Sequence, residues 1–156
     1  NDVTLEDIAR IADVFYIGGT KVGAMFGEAV VFTHGNMPKN FVTLVKQHGA
    51  LLAKGWLLGV QFDTLFTDNL YCRIARRAND AADRIREVLV ERGYTLTFDA
   101  PTNQIFITLD NETSERLQRS VRLGFMEKAD DTHTVMRICT SWATTDKQVE
   151  QLIALL

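Results

Sequence analysis

An α/β fold is predicted, made of a strand-turn-strand section, long connecting helices and a small α/β lobe. Three observations carry it. Two short apolar runs, Val14-Phe15-Tyr16-Ile17 and Ala29-Val30-Val31-Phe32, flank a turn containing Gly18, Gly19, Thr20, Lys21 and Gly23. Two long stretches with helical spacing, residues 40–66 and 69–92, fill the middle of the chain. From Tyr94 onward strand and helix patterns alternate, the signature of a mixed layer fold.

The elements follow in order. Thr4 can cap a short helix whose apolar positions Leu5, Ile8 and Ala9 fall at helical spacing. Asp13 to Ile17 and Glu28 to Thr33 read as strands, the second too apolar for an exposed edge, and His34 to Lys39 forms a loop. Asn40 to Phe66 reads as one helix, apolar nearly all round through Leu51, Leu52, Ala53, Leu57, Leu58 and Val60, and such a helix is buried, often between subunits. Asn69 to Arg92 is a conventional amphipathic helix with an inner stripe of Ile74, Ala78, Ala81, Ile85 and Val88, ended by Gly93 at an αL position.

Tyr94 to Phe98 and Gln104 to Leu109 read as strands separated by Pro101. Asn111 can cap a helix that carries Leu117 and Val121 and stops at Gly124. Phe125 to Glu127 and Thr134 to Thr140 form a further strand pair, and Thr145 with Gln148 makes a capping box for a last helix whose inner face is Val149, Leu152 and Ile153. The expected sections are 1–39, 40–70 and 71–156.

Composition narrows the functional classes. With 156 residues, 46% hydrophobic and 24% charged, the chain can bury roughly 70% of its unfolded surface and so can form a real core. A net charge of -3 with both signs interleaved gives no basic face, which argues against nucleic acid. No apolar run has the length of a membrane span, and Cys72 and Cys139 lack metal-ligand spacing, which suits a reducing cytoplasm and no metal. The chain opens Asn-Asp-Val without an initiator methionine, so residue 1 is expected to lie within a longer protein.

Two cations stand out. Lys21 lies between apolar strands among three glycines. A lysine in a turn is most often simply solvated. Glycine, however, serves where backbone approaches a ligand closely, and a partly desolvated lysine supplies the neutral amine that a Schiff base needs. A nucleotide phosphate loop fits poorly, because Gly-Gly-Thr-Lys-Val-Gly lacks the long glycine-to-glycine span and the Lys-Ser/Thr order. Arg137 stands in the apolar run Val135-Met136-Arg137-Ile138-Cys139, where a guanidinium requires an anion. That anion is either an internal carboxylate, with an edge position as the further alternative, or the carboxylate of an amino-acid substrate held in a bidentate pair.

The segments ADVFYIGGTKVGAMFGEAVVF, GALLAKGWLLGVQF and MRICTSWATTDKQVEQL together resemble the C-terminal half of pyridoxal-phosphate enzymes of the threonine aldolase and β-eliminating lyase family, which have the aspartate-aminotransferase-like fold (fold type I). The resemblance covers essentially the whole chain. It implies that residues 1–39 end a large cofactor-binding domain, that 40–70 are connecting, oligomer-facing helices, and that 71–156 form the small C-terminal domain. It implies pyridoxal 5'-phosphate held by Lys21 in a Schiff base, with Thr20 near the phosphate. Lys54 resembles the basic residue that reaches the phosphate of the neighbouring subunit's cofactor, Lys46 and His48 being weaker candidates, and the alternative for Lys54 is a side chain snorkelling from an oligomer-facing helix. Arg137 matches the arginine that binds the substrate α-carboxylate.

Departures accompany the likeness. Typical aldolases have Ser-Lys-Gly-Leu-Gly where this chain has Thr20, Lys21, Val22 and Gly23, and the paired lysines of tryptophan and tyrosine lyases are absent. The family's ring-stacking histidine, its pyridine-pairing aspartate and a nearby arginine are expected before Asn1. His34, His48 and His133 read as surface or turn residues. The implied reaction is aldol cleavage of L-threonine or a related β-hydroxy amino acid to glycine and an aldehyde, by a homodimer or homotetramer that includes the missing N-terminal part. The alternatives are β-elimination from another amino acid, or a non-enzymatic α/β oligomerisation fragment.

Overall fold

The computed structural model describes residues 3–156, and the backbone divides into two compact units, Asn1–Tyr71 and Cys72–Leu156. In the first unit, helix α1 (Leu5–Ile11) begins at Thr4, whose hydroxyl accepts from the Asp7 N–H while Asp7 reaches back to the Thr4 N–H. Strands β1 (Val14–Gly18) and β2 (Glu28–Phe32) form an antiparallel hairpin in which Val14 faces Phe32 and Gly18 faces Glu28. These strands were expected to be buried. Instead they pair only with each other among the described residues, and Tyr16 and Val30 stand exposed, so their apolar character is not accounted for by packing within this unit.

The single helix expected over Asn40 to Phe66 is two helices, α2 (Phe41–Gln47) and α3 (Trp56–Phe66). Gly49 adopts φ +70, a left-handed conformation that halts the first, and the Gly55 N–H bonds to the Leu52 carbonyl in a separate turn. The apolar residues of 50–55 mimic helical spacing without forming a helix. Leu51 and Leu52 among them are exposed, as is Trp56 at the start of α3.

Helix α4 (Leu70–Glu91) supplies most of the inner wall of the second unit. Its buried stripe is Ala78, Ala82, Ile85 and Leu89, rotated slightly from the expected one, with Ala81 and Val88 only half-buried. Gly93 does take a left-handed conformation after the last turn, with φ +79. The sheet runs β3 (Thr95–Leu96), β4 (Gln104–Asp110), β6 (His133–Cys139) and β5 (Gly124–Lys128) in spatial order β3-β4-β6-β5, antiparallel throughout. A bulge between Phe125 and Glu127 interrupts β5. One face of the sheet packs Ile105, Ile107, Leu109, Met136 and Ile138 against α4, α5 (Asn111–Gln118) and α6 (Asp146–Leu155).

Two helix ends differ from expectation. The cap of α5 is Asp110, whose carboxylate accepts from the Thr113 N–H, and Asn111 is the first helical residue. The helix ends at Gln118 rather than reaching Gly124, because Leu123 is drawn into the core and Gly124 already pairs with Arg137 in the sheet. The capping box of α6 forms as read: the Thr145 hydroxyl accepts from the Gln148 N–H, and Gln148 accepts from the Thr145 N–H. No helix among the described residues is long and apolar enough to cross a membrane.

Candidate active site

In the first unit, Lys21 sits in a short 3₁₀ turn, Thr20–Val22, between the two strands of the hairpin. The turn is built on Gly19, whose carbonyl accepts from both the Val22 and Ala24 N–H groups at 3.1 and 2.9 Å. Val22 and Ala24 are buried and anchor the turn, while Thr20 and Lys21, between buried Gly19 and Val22, stand exposed. The desolvation expected for Lys21 is therefore not supplied by this unit. Gly23 follows with φ +101, which only glycine adopts readily.

Gly19 has a packing role. A Cβ there would lie 2.6 Å from the Ala24 Cβ and 3.0 Å from the Phe62 ring, so side-chain crowding explains this glycine without any ligand. Gly18 is the one with open space, nothing lying within 4 Å of a Cβ built on it. Residues of the α3–α4 segment hold the turn at both ends. The Tyr71 hydroxyl donates to the Gly18 carbonyl at 2.8 Å. The Gln61 side chain accepts from the Met25 N–H at 2.7 Å and donates to the Phe26 carbonyl at 3.3 Å.

Lys54 is not within an apolar helix as expected but exposed in the turn before α3, its carbonyl accepting from the Leu57 N–H. The break at Gly49 to Gly55 removes the helical setting that would have required it to snorkel. Lys46 and His48 lie exposed at the end of α2. His34 is exposed in a loop, and His133 bonds to Asp130.

In the second unit, Arg137 lies on β6, an inner strand rather than an edge. Its neighbours Met136 and Ile138 belong to the helix-side core, so strand alternation puts Arg137 on the opposite face, across from Phe106 and Gly124. It is half-buried, and its Nη1 donates to the Gln104 side-chain oxygen at 3.2 Å. No carboxylate among the described residues forms a salt bridge with it. A Cβ on Gly124 would come within 3.5 Å of the Arg137 Nε, so glycine keeps this flank of the guanidinium clear. Arg137 also borders an open cleft of about 400 Å³ with Arg122, Ser141 and Thr144.

Gln61, Tyr71 and Gln104 were not singled out from sequence. Gln61 had a signal, as a lone amide within Trp56-Leu57-Leu58-Gly59-Val60-Gln61-Phe62, whereas Tyr71 and Gln104 had none. The strongest electrostatic perturbation lies elsewhere: the hydroxyl and N–H of Thr132, followed by His133, hold the Asp130 carboxyl well below the usual carboxylate range.

Set beside known proteins, the chain matches no protein-family profile. It is 28% identical over 143 residues to a low specificity L-threonine aldolase of a Pseudomonas species, and 31% identical over 107 residues to that of Pseudomonas aeruginosa. These matches take in 91% and 68% of the chain. The solved threonine aldolase of Leishmania major superposes on 99% of it with a TM-score of 0.94 and 41% identity. The chain belongs to the threonine aldolase family. It spans 40% and 31% of the length of the two curated relatives and 45% of the Leishmania protein. Its α/β architecture is that of fold type I of the pyridoxal-phosphate proteins. A serine palmitoyltransferase of Sphingomonas wittichii shares that fold at a TM-score of 0.65 and 16% identity.

Proposed function

We propose that this chain works within a pyridoxal 5'-phosphate-dependent lyase that splits the Cα–Cβ bond of L-threonine or a related β-hydroxy amino acid, giving glycine and an aldehyde. The observation that carries the reading is the Lys21 amine, exposed on a turn whose backbone is locked by Gly19, Val22 and Ala24. The family membership supports it.

The donor set fits that cofactor. Lys21 offers a primary amine, the group with which an aldehyde condenses, and it forms no salt bridge among the described residues that would compete. Thr20, next to it and exposed, offers a hydroxyl to a phosphate oxygen, and Lys54 offers a point cation for the phosphate of a neighbouring subunit's cofactor. When bound, pyridoxal phosphate supplies an electron-withdrawing ring that stabilises negative charge at Cα of an attached amino acid.

The remaining work belongs to side chains. Arg137 binds the α-carboxylate through its planar fork, and this fixes which bond to Cα is aligned for cleavage. Gln104 steadies one end of that fork and leaves the other N–H groups for the substrate. In this assignment residues 1–39 carry the cofactor amine, 40–70 face a second subunit, and 71–156 hold the substrate carboxylate. The exposed apolar side chains Val42, Leu51, Leu52, Trp56 and Val60 support a homodimer or homotetramer.

The test is an aldehyde-release assay on the full-length protein with L-threonine, alongside its Arg137→Leu variant. Release of acetaldehyde by the parent and its loss in the variant at low substrate support the proposal. Absence of aldehyde from a cofactor-loaded parent overturns it.

A further inference from the structure

The Lys21 turn leaves β1 at Gly18 and enters β2 at Glu28, and between them the chain makes no ladder bonds. Its internal order comes from two N–H groups converging on the Gly19 carbonyl. Among the described residues, side chains of the α3–α4 segment hold its backbone from outside. Tyr71 holds the start at the Gly18 carbonyl, Phe62 packs against Gly19, and Gln61 holds the far side at Met25 and Phe26.

Gln61 deserves its place on chemical grounds. One carboxamide both accepts from the Met25 N–H and donates to the Phe26 carbonyl. Glutamate can only accept when ionised, methionine of the same length can do neither, and asparagine is one methylene short. Gln61 is half-buried, and both partners of its amide are backbone groups of the lysine turn. Lys21 is separated from Met25 by the buried anchors Val22 and Ala24, and a shift at Met25 therefore passes to the lysine through packed groups.

We propose that Gln61 is a positioning residue for Lys21, with its amide holding the turn at the orientation in which the amine meets an incoming aldehyde. The inference rests on the assignment of Lys21 as the cofactor amine. Misplacement of a reacting group by about 1 Å can cost up to ~100-fold in rate, so loss of both Gln61 bonds is expected to slow condensation at Lys21 by about tenfold or more.

The experiment uses the full-length protein freed of cofactor. Pyridoxal phosphate is added, the imine is trapped with borohydride at timed intervals, and label on the Lys21 peptide is measured by mass spectrometry. Hydrogen exchange at the Met25 amide is followed in parallel, with thermal melting as the check on folding. Gln61→Met is expected to lose Met25 protection and to label Lys21 about tenfold more slowly, and the pH midpoint of the bound cofactor's absorbance is expected to move. Gln61→Glu, which keeps the acceptor for Met25, is expected to fall between the two.

Labelling of Gln61→Met at the parent rate overturns the proposal. Should Gln61→Met fail to fold, Gln61→Glu decides: a parent-like rate and absorbance midpoint overturn the proposal, and an intermediate rate supports it. Label on another lysine in the parent, with Met25 still protected, removes the Lys21 assignment and this inference with it. Unprotected Met25 in a parent that does label Lys21 overturns the inference alone.

Discussion

Replacement of Gly19 by alanine separates a packing glycine from a ligand-facing one. Gly19 has φ -111 and ψ -21, which alanine can adopt, so backbone strain is absent and the cost is steric. The new methyl would sit 2.6 Å from the Ala24 Cβ and 3.0 Å from the Phe62 ring. Neither neighbour can retreat easily: Ala24 has no flexible end and its N–H is tied to the Gly19 carbonyl, while Phe62 is buried in α3. Overpacking of this kind costs about 1–3 kcal/mol, and the loss should show as a lower urea midpoint with an unchanged slope. Gly18→Ala is the paired control, since nothing lies within 4 Å of its added methyl. Its stability should be equal to the parent's or higher by up to ~1 kcal/mol, the usual gain when glycine is replaced at a compatible site. Parent-like stability of Gly19→Ala, or an equal loss in Gly18→Ala, would refute the packing argument. A selective loss of cofactor affinity in Gly18→Ala would identify Gly18 as the glycine that admits a ligand.

Four further outcomes are expected. Arg137→Leu should raise the Michaelis constant for the amino acid by the equivalent of ~1.5–3 kcal/mol with cofactor affinity unchanged, and an unaltered constant counts against the carboxylate role. Ile107→Ala, at a position with 0% exposure, should cost about 2–5 kcal/mol in denaturant unfolding of the second unit, and a loss below 1 kcal/mol contradicts the core assignment. Thr145→Ala removes the hydroxyl that accepts from the Gln148 N–H and should cost ~1 kcal/mol, again by urea midpoint; no change would dismiss the capping box. Asp130 and Asp110 are held below the usual carboxylate range, by Thr132 first and by the Thr113 N–H respectively. Their stabilisation is thus fully present above the ordinary carboxylate value and is lost as pH falls through the lower folded-state values. An NMR titration should show both carboxyls with depressed midpoints, and an ordinary midpoint for Asp130 would reject the network around it.

Local rules were legible where they concern one element. Thr4, Thr145 with Gln148, and Gly93 do what their positions announce, because caps and αL stops need only residues a few places apart. The break between α2 and α3 was hidden because Ala50, Leu51, Leu52 and Ala53 continue an apolar pattern that tertiary setting, not spacing, interprets. The cap of α5 shifted by one residue because Asp110 and Asn111 are both good caps and the strand register decided between them.

For the candidate site, the sequence pointed to Lys21 and Arg137 as chemically odd but not to what surrounds them. Gln104 reaches Arg137 only through the pairing of β4 with β6, a contact 33 residues apart along the chain. Gln61 reaches Met25 across 36 residues. The glycines before Lys21 illustrate the limit well. Residue type indicated a close approach, and only the fold reveals that at Gly19 the approaching groups are Ala24 and Phe62.

The central claim is that Lys21 is the amine that takes up the cofactor. Borohydride reduction of the full-length, pyridoxal-phosphate-loaded protein, followed by peptide mass spectrometry, tests it most directly. A single pyridoxyl adduct on the peptide containing Lys21, lost together with the cofactor absorbance in Lys21→Ala, is the predicted result; an adduct confined to a different lysine, with Lys21→Ala retaining absorbance and aldehyde release, would contradict it.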